Sequence, residues 1–169
     1  MKNIALIGLP GCGKTAIGKA LSEKLDLEFI DTDALIEAET KLEINKIFKR
    51  YGENYFRGLE AKAYKKISKL ENRVISTGGG VVLNQENIIN LKKNGIIIFI
   101  SRAPENILLT LDTSVRPLLK SSADKIFTLH KDRGGLYNKY CDYLVDNNGT
   151  PEYAINSIYC MAKEGIFNG

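Results

Sequence analysis

Short apolar runs alternate along the chain with longer stretches in which apolar side chains recur every three or four positions. The runs fall at 3–8, 28–31, 74–77, 96–101 and 143–146. They are short and mostly apolar, as strands covered on both faces are. Between them, helical spacing predicts helices near 14–25, 33–39, 43–50, 52–70, 84–94, 104–110, 122–140 and 152–163. The first of these puts Ile17, Ala20, Leu21 and Leu25 on one face, and the last does the same with Ile155, Ile158, Tyr159 and Ala162. Strands alternating with helices predict an α/β protein whose parallel sheet lies between two helical layers. Two segments exceed that plan. One is 32–73, between the second and third strands; the other is 111–123, where Asp112, Thr113, Ser114 and Pro117 interrupt the periodicity as a lid would.

Length and charge narrow the picture further. With 169 residues, 44% of them hydrophobic, one domain spanning 1–169 is expected. The net charge of +4 is dispersed among acidic residues with no basic tail, so a nucleotide and a small anion are better partners than nucleic acid. Cys12, Cys141 and Cys160 are odd in number and lack C-x-x-C spacing, which argues against a disulfide framework or a structural zinc site. The single histidine, His130, is expected on the surface or lid rather than as a ligand. No apolar stretch reaches the roughly 18 residues of a membrane helix, so no membrane partner and a cytoplasmic location are expected. Nothing in the pattern calls for an obligate dimer, and a monomer is expected.

The strongest chemical signal follows the first strand. Gly8-Leu9-Pro10-Gly11-Cys12-Gly13-Lys14-Thr15 is a complete G-x-x-x-x-G-K-[ST] phosphate-binding loop opening a helix. Its glycines let successive N–H groups point at phosphate oxygens, Lys14 adds charge, Thr15 offers a hydroxyl to Mg²⁺, and the helix N-terminus favours anions. Gly11, Cys12, Gly13, Lys14, Thr15 and Ala16 are therefore the expected nucleotide-phosphate contacts. Glycine spacing excludes the dinucleotide fingerprint, because G-x-x-G-x-G reverses G-x-G-x-x-G. The thiol of Cys12, beside Lys14 and a helix N-terminus, is expected to be more acidic and more easily modified than a buried one.

Ligands of open parallel sheets bind beyond the carboxyl ends of the strands. After the second strand stands Asp31-Thr32-Asp33, which reads either as a helix N-cap or as a pair of working carboxylates, Asp31 toward Mg²⁺ and Asp33 toward an alcohol. The third strand ends in Ser76-Thr77-Gly78-Gly79-Gly80, with no carboxylate there and with glycines that permit close approach to a ligand. Arg57 lies three residues before Glu60 on a predicted helix, the spacing of a surface pair. Arg116 precedes Pro117 in the expected lid, placed to close over transferring phosphates. Arg133 precedes Gly134-Gly135, where a plain helix-end cation would also stand.

The phosphate loop, the Asp31-Thr32-Asp33 pair, Phe56-Arg57-x-x-Glu60, the triple glycine, Arg116-Pro117-Leu118-Leu119 and Arg133-x-x-Leu136-Tyr137 together resemble the shikimate kinases in order and spacing, over almost the whole chain. The resemblance implies a five-stranded parallel sheet of order 2-3-1-4-5, with a lid and a substrate-binding subdomain. It implies ATP-dependent phosphorylation of the shikimate 3-hydroxyl, with Mg²⁺ as cofactor and ATP as co-substrate, on the route to chorismate and the aromatic amino acids. Lys14, Asp33 and Arg116 would be catalytic, and Thr15 with Asp31 would serve the metal. Arg57 and Arg133 would hold the shikimate carboxylate, Gly78, Gly79 and Gly80 would approach the ring, and Phe48 and Phe56 would wall it. The adenine side departs from the pattern: Leu109 stands where many relatives carry an arginine, and the loop Asn147-Asn148-Gly149-Thr150-Pro151 lacks basic residues, leaving Pro151 as its wall. The alternative is another small-molecule kinase of this architecture, acting on gluconate or a nucleoside monophosphate, and a noncatalytic nucleotide-binding module is a third reading.

Overall fold

The computed structural model describes residues 1–110 and 119–167, with side chains of 119–123 excluded. The expected lid, 111–123, and Arg116 within it fall outside the described side chains. Strands β1 (Asn3–Ile7), β2 (Glu28–Asp31), β3 (Arg73–Ser76), β4 (Gly95–Ser101) and β5 (Tyr143–Asp146) form one sheet. All pairs are parallel, in the order β2-β3-β1-β4-β5. Strand β1 is the centre, and its five residues are all buried, as continuous apolar runs demand when both faces are covered.

Helices α1 (Lys14–Leu25), α2 (Thr32–Thr40), α3 (Ile44–Ile67), α4 (Gln85–Lys93), α5 (Pro104–Thr110), α6 (Leu119–Tyr140) and α7 (Pro151–Lys163) connect or follow the strands. Helix α1 packs on α7, and α3 packs on both α2 and α4. The main core joins Ile4, Leu6, Ile97 and Ile98 of the sheet to Ile17 and Leu21 of α1 and Ile158 of α7. A second, smaller apolar cluster, Ile36, Ile47, Phe56 and Ala63, lies between α2 and α3 within the segment 32–73. That segment thus carries a small core of its own, which is why it can hold side chains out over the end of the sheet.

The helices expected at 43–50 and 52–70 are the two arms of α3, separated at Gly52, whose φ of 81° and ψ of 173° are not helical. Two details differ from the expectation, and the first concerns the second arm of α3. Its end comes at Ile67, because Asn3 ties down the following turn by donating to the Leu70 carbonyl at 2.7 Å and accepting from the Arg73 amide at 3.0 Å. A 3₁₀ turn, Val81–Leu83, follows the triple glycine; Val81 and Val82 are buried in it. Among the described residues no helix is long and apolar enough to cross a membrane.

Candidate active site

Between Ile7 and Lys14 the chain makes the turn that only glycine adopts readily. Gly11 and Gly13 have φ of 80° and 102°. Lys14 is 7% exposed, and its ammonium donates to the carbonyls of Gly8 and Leu9, each at 2.9 Å. Helix α1 has Gly13 at its N-cap, so it has no side-chain cap, and no acidic residue stands in its first turn. Its leading N–H groups, including those of Thr15 and Ala16, therefore favour an anion. Cys12 is fully buried, with its sulfur against Gly8. The expectation of an easily modified thiol is thus corrected: the sulfur is packed under the loop, and the exposed cysteine is Cys160.

The N-cap reading of Asp31-Thr32-Asp33 holds for Asp31, and the same carboxylate also reaches the phosphate loop. Asp31 Oδ1 caps α2 by accepting from the amides of Asp33 and Ala34, at 3.1 and 3.3 Å. Its Oδ2 accepts from the Thr15 hydroxyl at 2.9 Å, and that hydroxyl lies 3.2 Å from Ser76 Oγ. Three oxygen donors from β2, β3 and α1 therefore converge beside the phosphate loop. This all-oxygen set fits Mg²⁺, which is usually bound by one or two protein groups together with substrate phosphates. Sequence reasoning missed Ser76; its signal is its place at the end of β3, where a carboxylate commonly stands.

A cavity of about 330 Å³ opens next to the loop. It brings together Asp33, Phe48, Phe56, Arg57, Gly78, Gly79, Gly80 and Arg133, with Pro10 of the phosphate loop at its edge. Arg57 is gripped from two sides by carboxylates of its own helix. It donates to Glu60 Oε2 at 2.5 Å and to Glu53 Oε1 at 2.8 Å. Glu60 is 1% exposed, so this is an anchored guanidinium rather than a solvated surface pair. Arg133 donates to the Gly79 carbonyl at 3.0 Å, and the Tyr137 hydroxyl to the same oxygen at 2.6 Å. Burial pushes the Tyr137 hydroxyl up to about 12, which keeps it a donor. Helix α6 continues past Gly134-Gly135 to Tyr140, so Arg133 is no helix-end cation.

Each glycine of the triple is in close contact. A Cβ on Gly80 would overlap the Arg57 guanidinium; one on Gly78 would lie 2.9 Å from Asp33 Oδ1, and one on Gly79 2.8 Å from Pro10 Cδ. Phe48 and Phe56, with ring centroids 4.6 Å apart, line the cavity and also pack on the second core. Asp33 Oδ1 and Glu60 Oε1 are buried without hydrogen-bond partners among the described residues. Burial raises the Asp33 carboxyl above its ordinary range, Asp31 adds to the rise, and Lys14 opposes it. Burial raises Glu60 as well, against the pull of Arg57. Glu53 and Lys125 also line this site and were not singled out from the sequence; Tyr137 was quoted there only as part of its motif, without a role.

On the other side of the loop, Leu109 is 81% exposed and Pro151 is exposed at the start of α7. His130 is exposed on α6.

The family model for shikimate kinase matches residues 10–162. A shikimate kinase of Clostridium botulinum (strain Alaska E43 / Type E3) is 48% identical, over 94% of this chain and 96% of that protein. Among solved structures, the shikimate kinase of Acinetobacter baumannii in complex with shikimate superposes with a TM-score of 0.85 at 32% identity, covering 99% of this chain and 94% of its own. That of Aquifex aeolicus gives 0.83 at 36% identity and covers 99% of both chains. The chain therefore belongs to the shikimate kinase family, the transferases that phosphorylate shikimate with ATP on the route to chorismate and the aromatic amino acids.

Proposed function

We propose that the two halves of this site divide the reaction between them, the loop and its oxygen donors holding ATP and the neighbouring cavity holding shikimate. The observation that carries the division is that the cavity shared by Asp33, Arg57 and Arg133 is bordered by Pro10 of the phosphate loop. On the nucleotide side, the amides of Gly11 to Ala16 and the Lys14 ammonium receive the β- and γ-phosphates. Thr15 and Asp31 would hold Mg²⁺, which when bound offsets phosphate charge during transfer.

On the acceptor side, Arg57 and Arg133 offer planar, two-point donors suited to a carboxylate. Arg57 is already neutralised by Glu53 and Glu60, which fixes its plane. Asp33 then faces the opposite end of the ring. Its carboxylate hydrogen-bonds the reacting 3-hydroxyl, orients it toward the γ-phosphate and accepts its proton as the new bond forms. Gly78 to Gly80 bring backbone close to the ring, and Phe48 with Phe56 wall it. Arg116 is assigned to the transferring phosphate from its place in the R-P-L-L segment alone. Leu109 and Pro151 flank the base, with an apolar surface replacing a cation. We read the working unit as a single cytoplasmic chain, in keeping with its dispersed charge of +4.

Asp33→Asn tests the division. Turnover is expected to fall by about 10²- to 10⁴-fold, while ATP and shikimate Kd, measured by calorimetry, stay within a few-fold. A kcat close to that of the parent would remove Asp33 from the chemistry.

A further inference from the structure

A loop that cradles phosphate has to turn its N–H groups toward the anion and its carbonyls away from it. Most carbonyls of this loop are accounted for locally. Those of Gly8 and Leu9 face Lys14, and that of Gly13 accepts from the Ile17 amide at 2.9 Å in the first turn of α1. The Cys12 carbonyl stands outside that ladder. Its partner is a side chain from 135 positions further along the chain: Asn147 Nδ2, at 2.9 Å.

Asn147 is the first residue after β5 and is 1% exposed. Its own amide donates to the Ser101 carbonyl at the end of β4, 2.8 Å away, which locks its backbone to the sheet. Its side chain fills the space against the loop, since a Cβ on Gly13 would come within 2.9 Å of Nδ2. The Oδ1 of the same amide is buried and has no hydrogen-bond partner among the described residues. A buried, unpaired acceptor is unfavourable, so the useful half of this side chain is its donor.

We propose that Asn147 is a positioning residue of the ATP site. The Cys12 carbonyl and the Gly13 N–H belong to one planar trans peptide and point in opposite directions. Holding the oxygen against Asn147 therefore aims the N–H the other way, into the concave face of the loop. The next residue extends the same support: Asn148 Oδ1 accepts from the Ala103 amide and from Asn106 Nδ2, both at 2.8 Å, tying this segment to α5. The loop after β5 thus braces the phosphate site with its side chains, although it lacks the basic residues expected there.

The inference rests on the loop's being the ATP phosphate site, and Lys14→Met separates the two claims. Calorimetric Kd values for ATP and shikimate are compared for the parent, Asn147→Leu and Lys14→Met. Leucine is close to asparagine in size and has no donor. ATP is expected to bind Asn147→Leu about tenfold more weakly, with shikimate affinity unchanged within about twofold; general destabilisation would not produce that split. ATP affinity within about twofold of the parent in folded Asn147→Leu overturns the proposal. If Lys14→Met also leaves ATP binding intact, the reading of the loop fails instead. Should Asn147→Leu not fold, Asn147→Asp decides the matter at neutral pH: it keeps the shape and exchanges the donor for an acceptor, so parental ATP affinity there overturns the proposal too.

Discussion

Asp33 sits where burial disfavours the charge that the role proposed for it requires. Because its carboxyl is raised in the folded protein, the folded state holds that proton more tightly than the unfolded chain. Its contribution to stability is therefore greatest below the ordinary Asp range and declines as pH rises through the raised value. Two results follow for this residue. If the carboxylate form works as proposed, the acid limb of kcat/KM should lie above the range of an ordinary aspartate. Asp33→Asn should raise Tm near pH 7, by about 2–4 °C for each kcal/mol of relief, and that gain should shrink toward about pH 4; thermal melts at the two pH values check the sign. Arg133 makes a different case, because its contact with the Gly79 carbonyl leaves further donors for a ligand. Arg133→Ala is expected to weaken shikimate binding by about 1.5–3 kcal/mol, roughly ten- to hundredfold in Kd, with ATP affinity unchanged. Calorimetry that finds shikimate Kd unaltered would remove Arg133 from the carboxylate clamp.

Among the elements, the turn after β3 and the second half of α3 are matched to each other. Gly80 has a φ of −97°, which an alanine accepts, so the obstacle to a methyl group there is steric, and among the described residues the nearest atoms are those of the Arg57 guanidinium. Arg57 cannot simply yield, because Glu60 is buried and would lose its partner, a loss of about 3–5 kcal/mol for a buried pair. Gly80→Ala should therefore raise the KM for shikimate about tenfold or more and leave that for ATP unchanged. Equal KM values for both substrates would show that the guanidinium has room to move. The strand and helix series was legible in the sequence because both faces of the sheet are covered and the apolar runs are short and continuous. The two arms of α3 were legible as well, with Gly52 breaking the helix between them. Cys12 was misjudged because burial is not a local property: the packing of its sulfur against Gly8 depends on the curl of the loop.

Across the whole molecule, the parallel order β2-β3-β1-β4-β5 places the ends of β1, β2 and β3 side by side. That juxtaposition brings separate sequence features into one candidate site. Asp31 reaches Thr15 across 16 positions, and Arg133 reaches Gly79 across 54. Ser76, Tyr137 and Asn147 stand in segments that the sequence marks, but no role for any of them could be read there, because each is defined by a contact made across the sheet. The most direct test of the account is a coupled ADP-release assay with ATP and Mg²⁺, run with shikimate beside gluconate and AMP as acceptors. The account predicts release that depends on shikimate and is abolished by chelating the metal. Release that proceeds equally without shikimate, or only with gluconate or AMP, would contradict it.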